Sequence, residues 1–217
     1  EKEEEYNTVD IMDYSKDIAV AAEFSTKDKI AVIYAQGEIG SGEGDLNVVG
    51  EGSMRRALKD AREDEAVKAI VLRVDSPGGS ALTSDLIWRE IEITKKVKPV
   101  VVSMGNLAAS GGYYISCNAN KIFAENSTIT GSIGVFGMLP NLSQITSKYG
   151  INTELVETHK NASGYSPFEP LDADFRNFTQ EGVESIYKTF VTRVANGRKM
   201  TFAQVDAIAQ GRVWAGS

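Results

Sequence analysis

The chain has 217 residues, 42% of them hydrophobic, enough to bury one sizeable core. Thirty acidic against 23 basic residues give a formal net charge of −7, which excludes the broad basic footprint of a nucleic-acid binder. The single cysteine, Cys117, excludes an internal disulfide, and no partner cluster for a metal site stands beside it.

The chain opens with EKEEEYN, and residues 1–28 read as an acidic arm or inter-domain linker ahead of one domain over 29–217. No run approaches the roughly 20 apolar residues that cross a bilayer, and the acidic start is the opposite of a signal peptide's apolar core, so a soluble chain is expected. The stop after GRVWAGS suggests a piece of a longer protein. The first strand is expected over 29–39, rich in β-branched residues. Residues 40–53, GSGEGDLNVVGEGS, lack periodicity and read as a mobile loop before a helix over 54–63. They are no phosphate cradle, because no Lys followed by Ser or Thr succeeds the last glycine and no strand-to-helix GxGxxG is present. A strand over 69–74, the turn SPGGS and a helix over 82–96 follow, with Leu82, Leu86 and Ile93 on one face. The pattern then repeats as a strand over 99–105, the turn LAASGG and a helix through Tyr114 to Cys117. There Cys117 reads as a small buried side chain, and Tyr113 and Tyr114 as packing residues. Extended segments over 121–125 and 128–137 lead to a polar stretch with His159, Lys160 and the loop SGYSPFEP. A long helix over 173–196 carries an apolar stripe of Phe175, Phe178, Val183, Ile186, Phe190 and Val194, read as core or subunit contact rather than a binding groove. Thr201 is the expected N-cap of a last short helix, TFAQVDAIAQ.

Successive strand-turn-helix units imply a largely parallel sheet with right-handed crossovers. Ligands of such sheets bind beyond the carboxyl ends of the strands, so the pairs Gly78–Gly79 and Gly111–Gly112 are expected to meet on one side. Ser110, directly before the second pair, is placed as a nucleophile exposed at a strand-to-helix turn. Paired glycines let backbone N–H groups approach a ligand unhindered, which suggests a serine facing an oxyanion hole. A serine hydroxyl needs a base. His159 and Lys160 are adjacent, and neighbours in an extended segment point to opposite faces, so one of the two reaches the site and the residues leave open which. A lysine serves if burial and lack of a counter-ion lower its pKa, and HKNASGYS gives Lys160 no acidic neighbour until Glu169.

The segments RVDSPGGS, VVVSMGNLAASGGYYIS, ITGSIGVFG and AQGRVWAG, in this order across about 29–214, resemble the signal peptide peptidase or protease IV family of serine–lysine proteases, within the Clp-protease and crotonase-like superfamily. The resemblance implies an α/β fold of repeated β-β-α units, Ser110 as nucleophile, oxyanion stabilisation around Gly78, Gly79 and Gly111, and a Ser132 hydroxyl that orients the base. Within VETHKNASGYSPFEP, Lys160 stands at the family's lysine position. The chain resembles the C-terminal half of the family's long form, in which that half brings the serine and the N-terminal half the lysine. Peptide substrates such as released signal peptides, a homo-oligomer and a missing N-terminal half are the implied partners, and neither a metal nor an organic cofactor is implied. The implied location is the extracytoplasmic face of the bacterial cell membrane, with an anchor in the full-length protein. Two other readings stand beside it. A crotonase-like acyl-CoA enzyme shares the fold and a two-donor oxyanion hole, but the serine before the second glycine pair argues against it. The other is a non-catalytic oligomerisation half that needs a partner domain.

Overall fold

The computed structural model describes residues 27–159, 162 and 164–217; the expected acidic arm lies outside them except for its last two residues. Strand β1 (Lys29–Gln36) buries Ile33 and Ala35 and turns Ile30, Val32 and Tyr34 outward. It ends at Gly37, where φ is 95° and a Cβ would sit 1.8 Å from the Asn47 carbonyl oxygen. Only glycine passes such a point. The single strand expected over 29–39 is therefore two, and β2 (Glu38–Gly40) pairs in parallel with β3 (Val48–Gly50) in a separate small sheet.

The glycine-rich stretch expected to be mobile is tied down. The Gly42 N–H donates to both Glu51 carboxylate oxygens at 2.9 Å, and the Gly52 N–H donates to the Gly42 carbonyl at 3.0 Å. That amide holds the Glu51 carboxyl below its ordinary pKa. Helix α1 (Glu51–Glu63) begins three residues earlier than expected, its first-turn carboxylate complementing the helix N-terminus.

Next come β4 (Val67–Ser76), α2 (Ala81–Lys95), β5 (Val100–Ala109), α3 (Gly111–Ser116), β6 (Lys121–Phe123), β7 (Ile129–Gly131), α4 (Ser143–Lys148), α5 (Ala173–Arg198), α6 (Phe202–Ile208) and β8 (Val213–Ala215). The main sheet runs β1-β4-β5-β7-β8, with β6 also on β5, and its pairings are parallel except β7 with β8. The core lies where Leu72, Val74 and Val102 of the sheet meet Leu58 of α1 and Ile87 and Ile91 of α2. A second cluster joins Tyr114 and Cys117 to Phe190, Val191 and Val194 of α5 and Val205 of α6.

Helix α2 departs from the expected face. Its buried residues are Thr83, Ser84, Ile87, Ile91 and Thr94, while Leu82 and Leu86 are 70% and 47% exposed. The cause is close approach: a Cβ on Gly111 of α3 would lie 2.6 Å from Ser84 Oγ, so this contact admits only small side chains. The Ser80 hydroxyl accepts from the Thr83 N–H and sets that helical phase. The segments expected over 121–125 and 128–137 contract to Lys121–Phe123 and Ile129–Gly131, the latter ended by Ser132 at a φ of 49°. Thr201 does cap α6, in a reciprocal pair with Gln204.

Candidate active site

Strand β5 ends at Ala109 and α3 starts at Gly111, so the whole reversal falls on Ser110, at φ 51° and ψ −121°. Residues with a Cβ seldom adopt this conformation. The surroundings enforce it: the Ser110 N–H donates to the Gly131 carbonyl at 2.9 Å and its own carbonyl accepts from the Tyr114 N–H at 2.8 Å. The turn leaves Ser110 lining a cleft of about 1130 Å³, its hydroxyl without a hydrogen-bond partner among the described residues.

The two glycine pairs meet against this elbow. A Cβ on Gly78, at φ 97°, would sit 2.4 Å from the Gly111 nitrogen and 2.8 Å from Ser110 Cβ. One on Gly112 would sit 2.6 Å from the Ser76 carbonyl oxygen. Glycine at these positions therefore brings the turn after β4 into backbone contact with the turn after β5. The three expected oxyanion donors are not equivalent. The Gly78 N–H is engaged with Ser76 Oγ at 3.1 Å, and the Gly78 carbonyl accepts from the Ile39 N–H at 2.8 Å. The N–H groups of Gly79 and Gly111 have no protein acceptor among the described residues.

Ser132 lines the same cleft. Its N–H donates to the Arg212 carbonyl at 2.7 Å, and the Gly211 N–H donates to the Ile133 carbonyl at 2.9 Å. A Cβ on Gly131 would lie 2.6 Å from the Trp214 ring, whose Nε1 donates to the Ile208 carbonyl at 3.0 Å. The motif AQGRVWAG is thus the clasp that holds ITGSIG, and Gly131 in turn holds the backbone of Ser110.

Much of the remaining wall is apolar, with Val135 and Phe136 after β7 and Val183, Ile186 and Phe190 from α5, while Glu38, Ser80, Ser84, Tyr187 and Gln210 add polar groups. This corrects the reading of the α5 stripe: half of it faces the cleft, Phe190 and Val194 are buried, and Phe178 stays 73% exposed. Periodicity marked the stripe, but only the packing of α5 against α3 decides what it borders.

Tyr114 also lines the cleft, and its hydroxyl donates to Asp85 Oδ1 at 2.6 Å while its ring lies 4.6 Å from that of Phe190. Burial, and then the Asp85 carboxylate, push its phenol well above the ordinary range, so it packs as expected and stays protonated. Arg193 completes the cluster, donating from Nε to Asp85 at 3.2 Å with its guanidinium 3.8 Å over the Trp88 ring. Cys117 is fully buried and its thiol is pushed up to about 12 by that burial, the reverse of an activated nucleophile. Lys160 lies outside the described residues. His159 is exposed, shares a hydrogen bond with Thr158 Oγ1 at 3.0 Å, and is not among the residues lining the cleft.

Fold and site together define an α/β domain of the Clp-protease and crotonase-like type, with a serine on a strained strand-to-helix elbow between two glycine turns. Residues 92–217 match the model of Peptidase family S49, and the chain belongs to that family. It is 42% identical to Protease 4 of Haemophilus influenzae over 213 residues, 97% of this chain and 34% of the relative. It is 43% identical to Protease 4 of Salmonella typhi over 215 residues, 99% of this chain and 34% of the relative. To the chloroplastic serine protease SPPA of Arabidopsis thaliana it is 40% identical over 195 residues, 88% of this chain and 29% of that protein. The chain thus spans about a third of the length of these curated relatives. Family membership leaves the acyl-CoA reading without support. Among the described residues no helix is long and apolar enough to cross a membrane.

Proposed function

We propose that this chain is the serine-bearing unit of a peptidase that cleaves peptide bonds through Ser110, with Lys160 as its base and Ser132 orienting that base. The observation that carries the reading is the Ser110 elbow, whose strained backbone presents a free hydroxyl beside two unengaged N–H groups, those of Gly79 and Gly111. Ser110 Oγ attacks the substrate carbonyl as neutral Lys160 takes its proton, and the resulting oxyanion is stabilised by the two N–H groups. Gly78 acts one step removed, holding that loop against the elbow. Collapse breaks the C–N bond, and the Lys160 ammonium returns the proton to the leaving amine. Water then attacks the acyl-enzyme, giving a proton to Lys160; the Oγ–acyl bond breaks, the Lys160 ammonium returns that proton to Ser110 Oγ, and the carboxylic acid product leaves.

The apolar cleft walls support apolar peptides as substrates, released signal peptides among them, and the proposed place of action is the extracytoplasmic face of the membrane. The domain over 29–217 works within a larger assembly, either a homo-oligomer or one completed by an N-terminal half. A sheet face that no element among the described residues covers supports this: Ile30, Val32 and Tyr34 are 66%, 51% and 68% exposed, and Phe123, in register with Tyr34 through Arg73 and Ser103, is 58% exposed. Parallel sheets are ordinarily covered on both faces.

Mass spectrometry after a fluorophosphonate probe tests the site. Labelling of the wild type on Ser110, lost in Ser110→Ala and Lys160→Ala with circular dichroism unchanged, is the expected result. Full labelling of Lys160→Ala removes the dyad, and an unlabelled wild type that stays unlabelled with the N-terminal half present removes catalysis.

A further inference from the structure

The cleft has one charged side chain among the described residues that line it, Glu38. Its neighbour Ile39 is 1% exposed, turned into the core, and bridges to Gly79. Alternation along β2 therefore sends Glu38 the other way, where it is exposed at the edge of the cleft beside Gly78, Gly79 and Ser80. Other carboxylates nearby are engaged. Glu51 accepts from Gly42, Glu43 pairs with Arg56, Asp75 accepts from the Leu107 N–H at 3.0 Å, and Asp85 holds Tyr114 and Arg193. Among the described residues no hydrogen bond or ion pair engages the Glu38 side chain.

A carboxylate without a counter-ion at the rim of an apolar cleft draws a cation, because the low-dielectric walls weaken screening by water. We infer that Glu38 is a specificity determinant that receives the ammonium or guanidinium group of one basic residue in an otherwise apolar peptide. The inference rests on the cleft being the peptide site proposed above. It deepens that reading: the walls of Val135, Val183 and Ile186 take apolar side chains, and Glu38 sets the register by pairing with a single positive charge. An exposed pair of this kind is worth about twofold to fivefold in affinity.

The test is binding to Ser110→Ala, which takes up a peptide but cannot be acylated by it. Fluorescence anisotropy with an uncharged fluorophore follows a set of leucine and alanine octapeptides in which one lysine, or its neutral isostere norleucine, is moved along the chain. Expected is one register in which lysine binds about twofold to fivefold tighter than norleucine, with the preference fading as salt rises to about 0.5 M. It disappears when Glu38→Gln is added and turns to glutamate-bearing peptides with Glu38→Lys. Lysine preference unchanged in Glu38→Gln, or absent in every register whether the peptides bind alike or not at all, overturns the inference. Fluorophosphonate labelling of unaltered Ser110 reports separately: a labelled protein without lysine preference refutes only the role of Glu38. An unlabelled protein with a Glu38-dependent preference refutes only catalysis.

Discussion

Replacing Ser110 by glycine and by alanine separates the hydroxyl from the backbone beneath it. Both variants lose Oγ, but only glycine is at ease at φ 51° and ψ −121°. A residue held in so sparse a region costs roughly 1–3 kcal/mol, while the extra unfolded-state freedom of glycine costs about 0.5–1 kcal/mol. Ser110→Gly is therefore expected to be more stable than Ser110→Ala by roughly 1–2 kcal/mol. The elbow cannot relax on its own, because Gly131 and Tyr114 bond both sides of its peptide unit and Gly78 packs behind it. At this chain length a kcal/mol moves Tm by about 2–4 °C, so the two variants separate by roughly 2–8 °C. Urea and thermal melts of the pair give the difference directly. Ser110→Ala at least as stable as Ser110→Gly would refute the claim that the backbone is strained to present the hydroxyl.

Gly78→Ala forces a Cβ to 2.4 Å from the Gly111 nitrogen at a φ of 97°. It is expected to cost about 2–4 kcal/mol in urea melts and to slow fluorophosphonate labelling at least about tenfold. Tyr114→Phe keeps the contact with Phe190 but loses the hydrogen bond to Asp85. Because that carboxylate retains Arg193 and is partly exposed, the expected loss is about 1 kcal/mol by urea denaturation. Burial raises the Cys117 thiol, so the native state holds a proton that the unfolded chain releases at its ordinary pKa. The resulting stability is intact below roughly pH 8.5, falls as pH rises from there, and is gone near the folded value of about 12. Cys117→Ala should flatten that alkaline decline in melts at pH 8–10.5, and Tyr113, Tyr114 and Tyr187, which shift the same way, contribute to what remains. An unchanged slope would contradict it.

The sequence by itself determined the repeated strand-turn-helix plan, the side of the sheet on which the two glycine pairs meet, and the position of Ser110 at a strand-to-helix turn. Those are local matters: a glycine pair after an apolar β-branched run is a backbone signal carried by adjacent residues. It also placed Thr201 as a cap and Cys117 in the core, again from immediate neighbours. Only the tertiary structure decided the rest. The inward face of α2 runs through Thr83, Ser84, Ile87 and Ile91 rather than Leu82 and Leu86, and is small at Ser84, where Gly111 of α3 comes into contact. Gly37 divides the first strand because the Asn47 carbonyl occupies the space of a side chain. Gly79 and Gly111 keep their N–H groups while Gly78 spends its own on Ser76, a distinction set by how two turns far apart in the chain pack together. The long stripe of α5 borders the cleft for the same reason. Which side of an amphipathic element meets solvent, core or ligand depends on the elements that pack against it, and no local pattern encodes those neighbours.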